Sequence, residues 1–191
     1  MRLVMFTPPE LALERGWPGK LDGDSVVQVA AQTLEAFFTG GGKAREHSVY
    51  PVDEVDFRPP ILRPPSIRWF DDDRTFTFGN NASIYVRGAN VPYPVDDVQT
   101  VTRIAAVIGA HQLVAGFTLV DEHVAPVLPP PKDRDFAVAL GPVVVTRDEL
   151  EPEGFPWEDA ATFAALNTLL RPGDLLVGPP GLRVEDFPGL S

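Results

Sequence analysis

The chain has 191 residues, 44% of them hydrophobic and 23% charged, a balance that fits one globular domain and argues against a disordered, fibrous or membrane-embedded chain. Sixteen Lys and Arg against 27 Asp and Glu leave a net charge of −11, which repels nucleic-acid phosphates and anionic lipid, so neither nucleic acid nor membrane is an expected partner. The absence of cysteine excludes disulfides, thiolate nucleophiles and Cys-type zinc sites.

The apolar start Met1–Phe6 breaks at Pro8, too short for a signal-peptide core. No run approaches the ~20 apolar residues that span a bilayer, so a cytoplasmic location is expected. Twenty-one prolines and 16 glycines interrupt the chain so often that short strands and turns should dominate. Leu3–Phe6 reads as a first strand, and Lys20-Leu-Asp-Gly-Asp as a turn into a strand that ends near Val29. The spacing of Ala30, Leu34, Phe37 and Phe38 predicts a helix that Gly40-Gly-Gly42 stops. Residues 1–57 thus form a small β-rich lead-in. Pro59-Pro-Ile-Leu-Arg-Pro-Pro65 is a stiff extended connector, and residues 58–191 form the main domain.

Beyond the connector, strands are predicted at Ser66–Phe70, Thr75–Phe78, Ser83–Val86, Val101–Ile108, Leu113–Val120, Phe136–Thr146 and Asp174–Val177. A helix is predicted from Trp157 to Leu170, with Pro156 in its first turn, Glu158 and Asp159 at its positive end and Arg171-Pro-Gly as its stop. Phe163, Leu166, Leu169 and Leu170 would be its apolar face. Asp71-Asp-Asp73 lacks the alternating ligands and glycine of a calcium loop and reads as a charged hairpin tip. His47 and His111 have no nucleophile signature beside them and read as surface histidines. Trp17, Trp69 and Trp157 read as packing or rim aromatics, and Pro129-Pro-Pro131 as a short polyproline turn.

Six segments in series carry a recognisable wording: Asn90-Val-Pro-Tyr-Pro94, Ile104-Ala-Ala-Val-Ile-Gly109, Val114-Ala-Gly-Phe-Thr-Leu-Val-Asp-Glu122, Lys132-Asp-Arg-Asp-Phe136, Leu140-Gly-Pro-Val-Val-Val-Thr-Arg-Asp-Glu-Leu150 and Leu170-Arg-Pro-Gly-Asp174. In this order they resemble the fumarylacetoacetate hydrolase family, over about residues 78–182, with a similar lead-in at Gly16-Trp-Pro-Gly-Lys-Leu-Asp-Gly-Asp24. The resemblance implies a mainly β, α+β fold: a rolled mixed sheet with few short helices, usually dimeric. It also implies hydrolysis, decarboxylation or isomerisation of β-diketo and oxo acids around Mg²⁺ or Mn²⁺, which holds the substrate's oxygens and stabilises the enolate. The family's cation is held by a Glu-x-Glu pair on one strand and an Asp on the next.

This sequence departs from that pattern at the chemistry. Counted back from Val107-Ile108-Gly109, the two glutamate positions are Val101 and Arg103, and the aspartate position is Glu122, the single matching ligand position. Lys132, followed by Asp135, matches a substrate-binding lysine. Val177-Gly-Pro-Pro180 has lost the family's two C-terminal hydroxyls, and the lid that carries its catalytic base is absent after Trp69-Phe70. An arginine ~4 Å from a divalent ion repels it by about 8 kcal/mol at an effective dielectric of ~20, so no metal is expected unless the family site survives. That survival would need Asp97 and Gln99 to be the ligand positions, which requires a bulge of about four residues before Ile104. Otherwise the Arg103 guanidinium should fill the vacated centre and pair with Glu122.

Asp121 and His123 should share one strand face and Glu122 the other, an awkward arrangement for one metal cluster. Two main functions follow from these residues, beside a weaker third, a sensor whose cleft binds a small acidic ligand without converting it. One is a catalytically silent protein that serves as a binding or assembly partner, in a homodimer or with a related active subunit. The other is an enzyme acting on a small oxo acid without a metal, with Arg103, Lys132 and Asp135 binding the acid and Lys132, Glu122 or His123 supplying the chemistry.

Overall fold

A computed structural model describes residues 1–9, 15–185 and 187–188. Thirteen strands and two short α-helices follow one another as β1 (Arg2–Thr7), β2 (Trp17–Asp22), β3 (Ser25–Val29), α1 (Leu34–Thr39), β4 (Glu46–Pro51), β5 (Asp56–Arg58), β6 (Ile67–Asp72), β7 (Thr75–Phe78), β8 (Ile84–Val86), β9 (Gln99–Ile108), β10 (Val114–Val124), β11 (Val138–Leu140), β12 (Val143–Thr146), α2 (Trp157–Ala164) and β13 (Leu175–Val177). All strands join one mixed sheet. Its main order is β4-β3-β2-β1-β12-β10-β9-β13-β6-β7, with β5 added to β1, β11 to β10 and β8 to β11. The β13–β6 and β11–β8 pairs are parallel. No described helix is long and apolar enough to cross a membrane.

The sheet rolls around its core. Val29 of β3 and Ile67 and Trp69 of β6 come from opposite ends of the strand order yet share one buried cluster with Leu3, Ala105, Val120 and Leu175. The two-residue period of β9 sends Ala105 and Val107 into that cluster, and Ile104, Ala106 and Ile108 into a second one on the other face. Phe37 and Phe38 of α1 cover the first face; Trp157, Ala160, Ala161 and Ala164 of α2 cover the second.

The long β9–β10 hairpin positions the candidate site. Its ladder is unbroken from Gln99 opposite Val124 to Val107 opposite Gly116, with a bulge only beyond, at Ala115. The four-residue bulge that would have brought Asp97 and Gln99 to the ligand positions is therefore not there. Gly116 is required at the hairpin's crossing with β12, because a Cβ there would lie 2.4 Å from the Val145 carbonyl oxygen.

Several predicted boundaries are corrected. Lys20-Leu-Asp22 ends strand β2, and the turn is at Gly23, whose φ of 56° suits glycine. Helix α1 starts at Leu34 because the Thr33 hydroxyl accepts from Ala36 N–H at 3.2 Å, while Ala30 N–H still donates to the Arg45 carbonyl just before β4. The predicted strand Phe136–Thr146 is two strands, split at Gly141-Pro142 because Pro142 has no N–H for a ladder. Helix α2 ends at Ala164, and Asn167 sits in the left-handed region at φ 58°. Its buried face is Trp157, Ala160, Ala161 and Ala164, whose small side chains let it lie close on the sheet. Leu166 and Leu169 are instead exposed.

Candidate functional site

Arg103 on β9 faces Val120 on β10, and Glu122 faces Val101, so Arg103 and Glu122 are diagonal neighbours on one face of the hairpin. Their side chains meet: Arg103 Nη2 lies 2.6 Å from Glu122 Oε2, and the residues are only 8% and 4% exposed. The second carboxylate oxygen, Oε1, accepts from Arg134 Nη1 at 3.1 Å. Arg134 comes from the loop between β10 and β11, is about half exposed, and also reaches Asp133 Oδ2 through Nε at 3.3 Å. The Arg103 guanidinium lies over the Trp69 ring of β6, 5.4 Å from its centroid. Its Nε and Nη1, and Oδ1 of Asp133, are buried without a hydrogen-bond partner.

Next to this cluster, Thr77–Asn80 on one side and Pro130, Pro131 and Asp133–Asp135 on the other line an open cleft of about 560 Å³. Gly79 is packed on the Trp69 indole, where a Cβ would come within 2.1 Å of Nε1. Lys132 stands at the solvent side, exposed and paired with Asp135 at 2.6 Å.

His123 and Asp121 point to the opposite face. The Asp121 carboxylate is closed off by Thr102 Oγ1 at 2.7 Å and Arg87 Nε at 2.9 Å. His123 Nδ1 shares a hydrogen bond with Thr100 Oγ1 at 3.0 Å, its Nε2 is buried and unpartnered, and Tyr93 packs edge-on against its ring. Burial holds the His123 imidazole below its ordinary pKa, and the Asp121 charge opposes that shift. The structure thus brings Arg103 and Glu122 together, sets Lys132 and Asp135 as a separate surface pair, and places the sheet between Glu122 and His123. Sequence reasoning assigned no role to Arg134 or Asp133, and took Trp69 as a packing or rim aromatic with no link to Arg103. The one available signal for Arg134 was its place inside Lys132-Asp-Arg-Asp-Phe136.

No protein-family model and no curated protein matches the chain. Solved structures do. Maleylpyruvate hydrolase from Sphingobium sp. SYK-6, in complex with manganese(II) and pyruvate, superposes with a TM-score of 0.74 at 17% identity, over 96% of this chain and 90% of that one. The complex of 2-keto-3-deoxy-D-arabinonate dehydratase with magnesium and 2,5-dioxopentanoate gives 0.72 at 14% identity, over 100% and 92%. A probable 2-hydroxyhepta-2,4-diene-1,7-dioate isomerase from Mycobacterium abscessus gives 0.66 at 18%, over 95% and 86%.

The chain has the fumarylacetoacetate hydrolase fold. Two of these relatives by fold hold a divalent cation, which invites a test of the residues here. They do not fit one. A divalent ion needs several oxygen ligands, whereas Glu122 already has a guanidinium on each oxygen and Val101 offers only carbon. Among the described residues, no three His, Asp or Glu side chains are grouped so that they could hold a metal ion.

Proposed function

We propose that this chain is a catalytically silent derivative of the fumarylacetoacetate hydrolase fold, in which a buried ion-pair cluster stands at the family's cation position. It serves as a binding or assembly partner, as a homodimer or with a related active subunit. One observation carries this reading: both oxygens of Glu122 are neutralised by arginines, from β9 and from the β10–β11 loop. An ion entering there must displace a guanidinium 2.6 Å from its counter-charge.

The test is a thermal melt in rising Mg²⁺ and Mn²⁺. A cation bound at a hundred times its Kd would add about 2.7 kcal/mol, or roughly 5–11 °C for a chain of this size. An unchanged Tm up to millimolar metal, with no turnover of oxaloacetate or acylpyruvates, supports the reading. A metal-dependent rise in Tm, or turnover, refutes it.

A second reading, a metal-independent hydrolase or lyase of small β-diketo or oxo acids, is favoured by the unpartnered Nε and Nη1 of Arg103 beside the Arg134 cleft. There Arg103 and Arg134 would stabilise a developing enolate, with Lys132 and Asp135 at the rim. Turnover without metal that Arg134→Ala and Lys132→Ala both abolish would establish it.

A further inference from the structure

The two ends of the strand order are differently made. β4 carries Glu46, which pairs with Lys20 at 2.6 Å, and it ends on Pro51; charge and proline keep an edge from pairing. β7 is Thr75-Phe-Thr-Phe78, four strong strand formers with no charge, and among the described residues it pairs only with β6. Gly79 N–H donates to the Ile67 carbonyl, so by the alternation of an antiparallel ladder Thr77 bonds to β6, while the N–H and C=O of Phe76 and Phe78 face away from it.

The surface beside this open side is apolar at its centre and acidic at one end. Phe78 is 70% exposed and packs edge-on against Phe76 at 5.5 Å; Phe76 meets Phe163 of α2 at 6.0 Å. Phe163 and Leu166 line the adjoining groove with Asp73, Arg74 and Asp159. Arg74 is the single cation lining it, and it is tied to Asp73 at 3.8 Å. Asp71 and Asp72, at the same hairpin tip, and Asp159 are exposed, with no cation within salt-bridge distance among the described residues.

We propose that the β7 edge takes an added strand from a basic partner, an extended segment that sets two apolar residues beside Phe76 and Phe78 and a lysine or arginine at the groove of Asp73 and Asp159. Unpaired backbone gives affinity in such strand addition, and pockets for alternate side chains give the choice of partner. The occupant is argued from charge complementarity. The uncompensated carboxylates at Asp71, Asp72 and Asp159 favour a cationic segment, and the chain's net charge of −11 steers one in while repelling a second copy of itself. The two-residue period then writes the segment. In an antiparallel partner, residues facing Phe78 and Phe76 lie on the face those rings share, and the next residue on that face reaches the acidic groove. Read from its N-terminus, the segment is apolar-x-apolar-x-basic. The proposal gives a surface and a partner chemistry to the binding half of the functional reading, and it stands whether or not the Glu122 site is silent.

The test uses the full chain and a fluorescein-labelled peptide, VTVTKK, followed by fluorescence anisotropy. Binding should saturate, weaken with rising salt and slow amide exchange at Phe76 and Phe78 but not at Val49 of β4. The peptide VTVTEE should bind at least about tenfold more weakly, and so should VTPTKK, which lacks the N–H that would pair with the Phe76 carbonyl. These two comparisons leave the protein unchanged, so misfolding cannot imitate their outcome. On the protein side, Asp73→Asn with Asp159→Asn should weaken VTVTKK by a similar factor and abolish its preference over VTVTEE. No binding of VTVTKK at millimolar peptide, equal binding of the basic and acidic peptides, protection at β4 in place of β7, or an edge already closed by self-association would overturn the proposal. None of these results bears on metal binding or turnover.

Discussion

Replacing Glu122 by glutamine keeps the shape of the buried cluster and removes its charge. At 2.6 Å and an effective dielectric of ~20, the Arg103–Glu122 attraction is about 6 kcal/mol, which desolvation of two ions at several kcal/mol each largely offsets. The intact pair therefore adds little net stability, but half a pair is costly. Arg103 is 8% exposed and has no other carboxylate within salt-bridge distance among the described contacts, so Glu122→Gln should cost about 3–5 kcal/mol. Arg134 contributes little to that cost, because it is half exposed and keeps Asp133. Removing both partners with apolar residues of similar shape, Arg103→Met with Glu122→Leu, should leave stability within about 1 kcal/mol of the parent or above it. Urea unfolding at neutral pH measures both variants together with the single substitutions Arg103→Met and Glu122→Leu, and the double-mutant cycle these complete isolates the pair. A loss under about 1 kcal/mol for Glu122→Gln, or a double variant no better than the worse single one, would refute a buried, mutually dependent pair.

Other consequences can be measured on the same chain. His123 is held below its ordinary pKa by burial, so the unfolded state takes up its proton first. Its contribution is complete above about pH 6.5 and declines as pH falls below that value, with a slope no steeper than about 1.4 kcal/mol per pH unit; the urea midpoint of His123→Gln should lack this component between pH 7 and pH 5. Gly79→Ala should cost about 1–3 kcal/mol and shift tryptophan fluorescence, because the new Cβ must displace the Trp69 indole, over whose ring the Arg103 guanidinium lies. Thr33→Ala removes the hydroxyl that caps α1 and should cost about 1 kcal/mol in thermal unfolding, whereas Thr33→Asn should restore most of it.

What could be read from the sequence was what a strand's period fixes. Positions two apart share a face, and a long hairpin aligns its strands residue by residue; the resemblance placed Arg103 and Glu122 at neighbouring ligand positions, and the register makes them diagonal neighbours on one face. The same reasoning misread α2, since Leu166 and Leu169 continue a helical spacing that the chain abandons at Asn167, and it merged β11 with β12 across Pro142. Loop geometry has no period. Arg134 returns to a glutamate 12 residues earlier through a turn whose course no spacing encodes, and Trp69 arrives from β6, joined to β9 only by way of β13. The loop-borne half is nevertheless what decides the chemistry. With Arg103 alone, Glu122 would keep one oxygen free for a cation; with Arg134 on that oxygen and Asp133 balancing Arg134, the four charges sum to zero and Glu122 is spent. A divalent ion would bring two uncompensated charges into a space where each is worth kilocalories, and on the reading proposed above that electrostatic closure is what separates this chain from fold relatives whose structures hold manganese or magnesium.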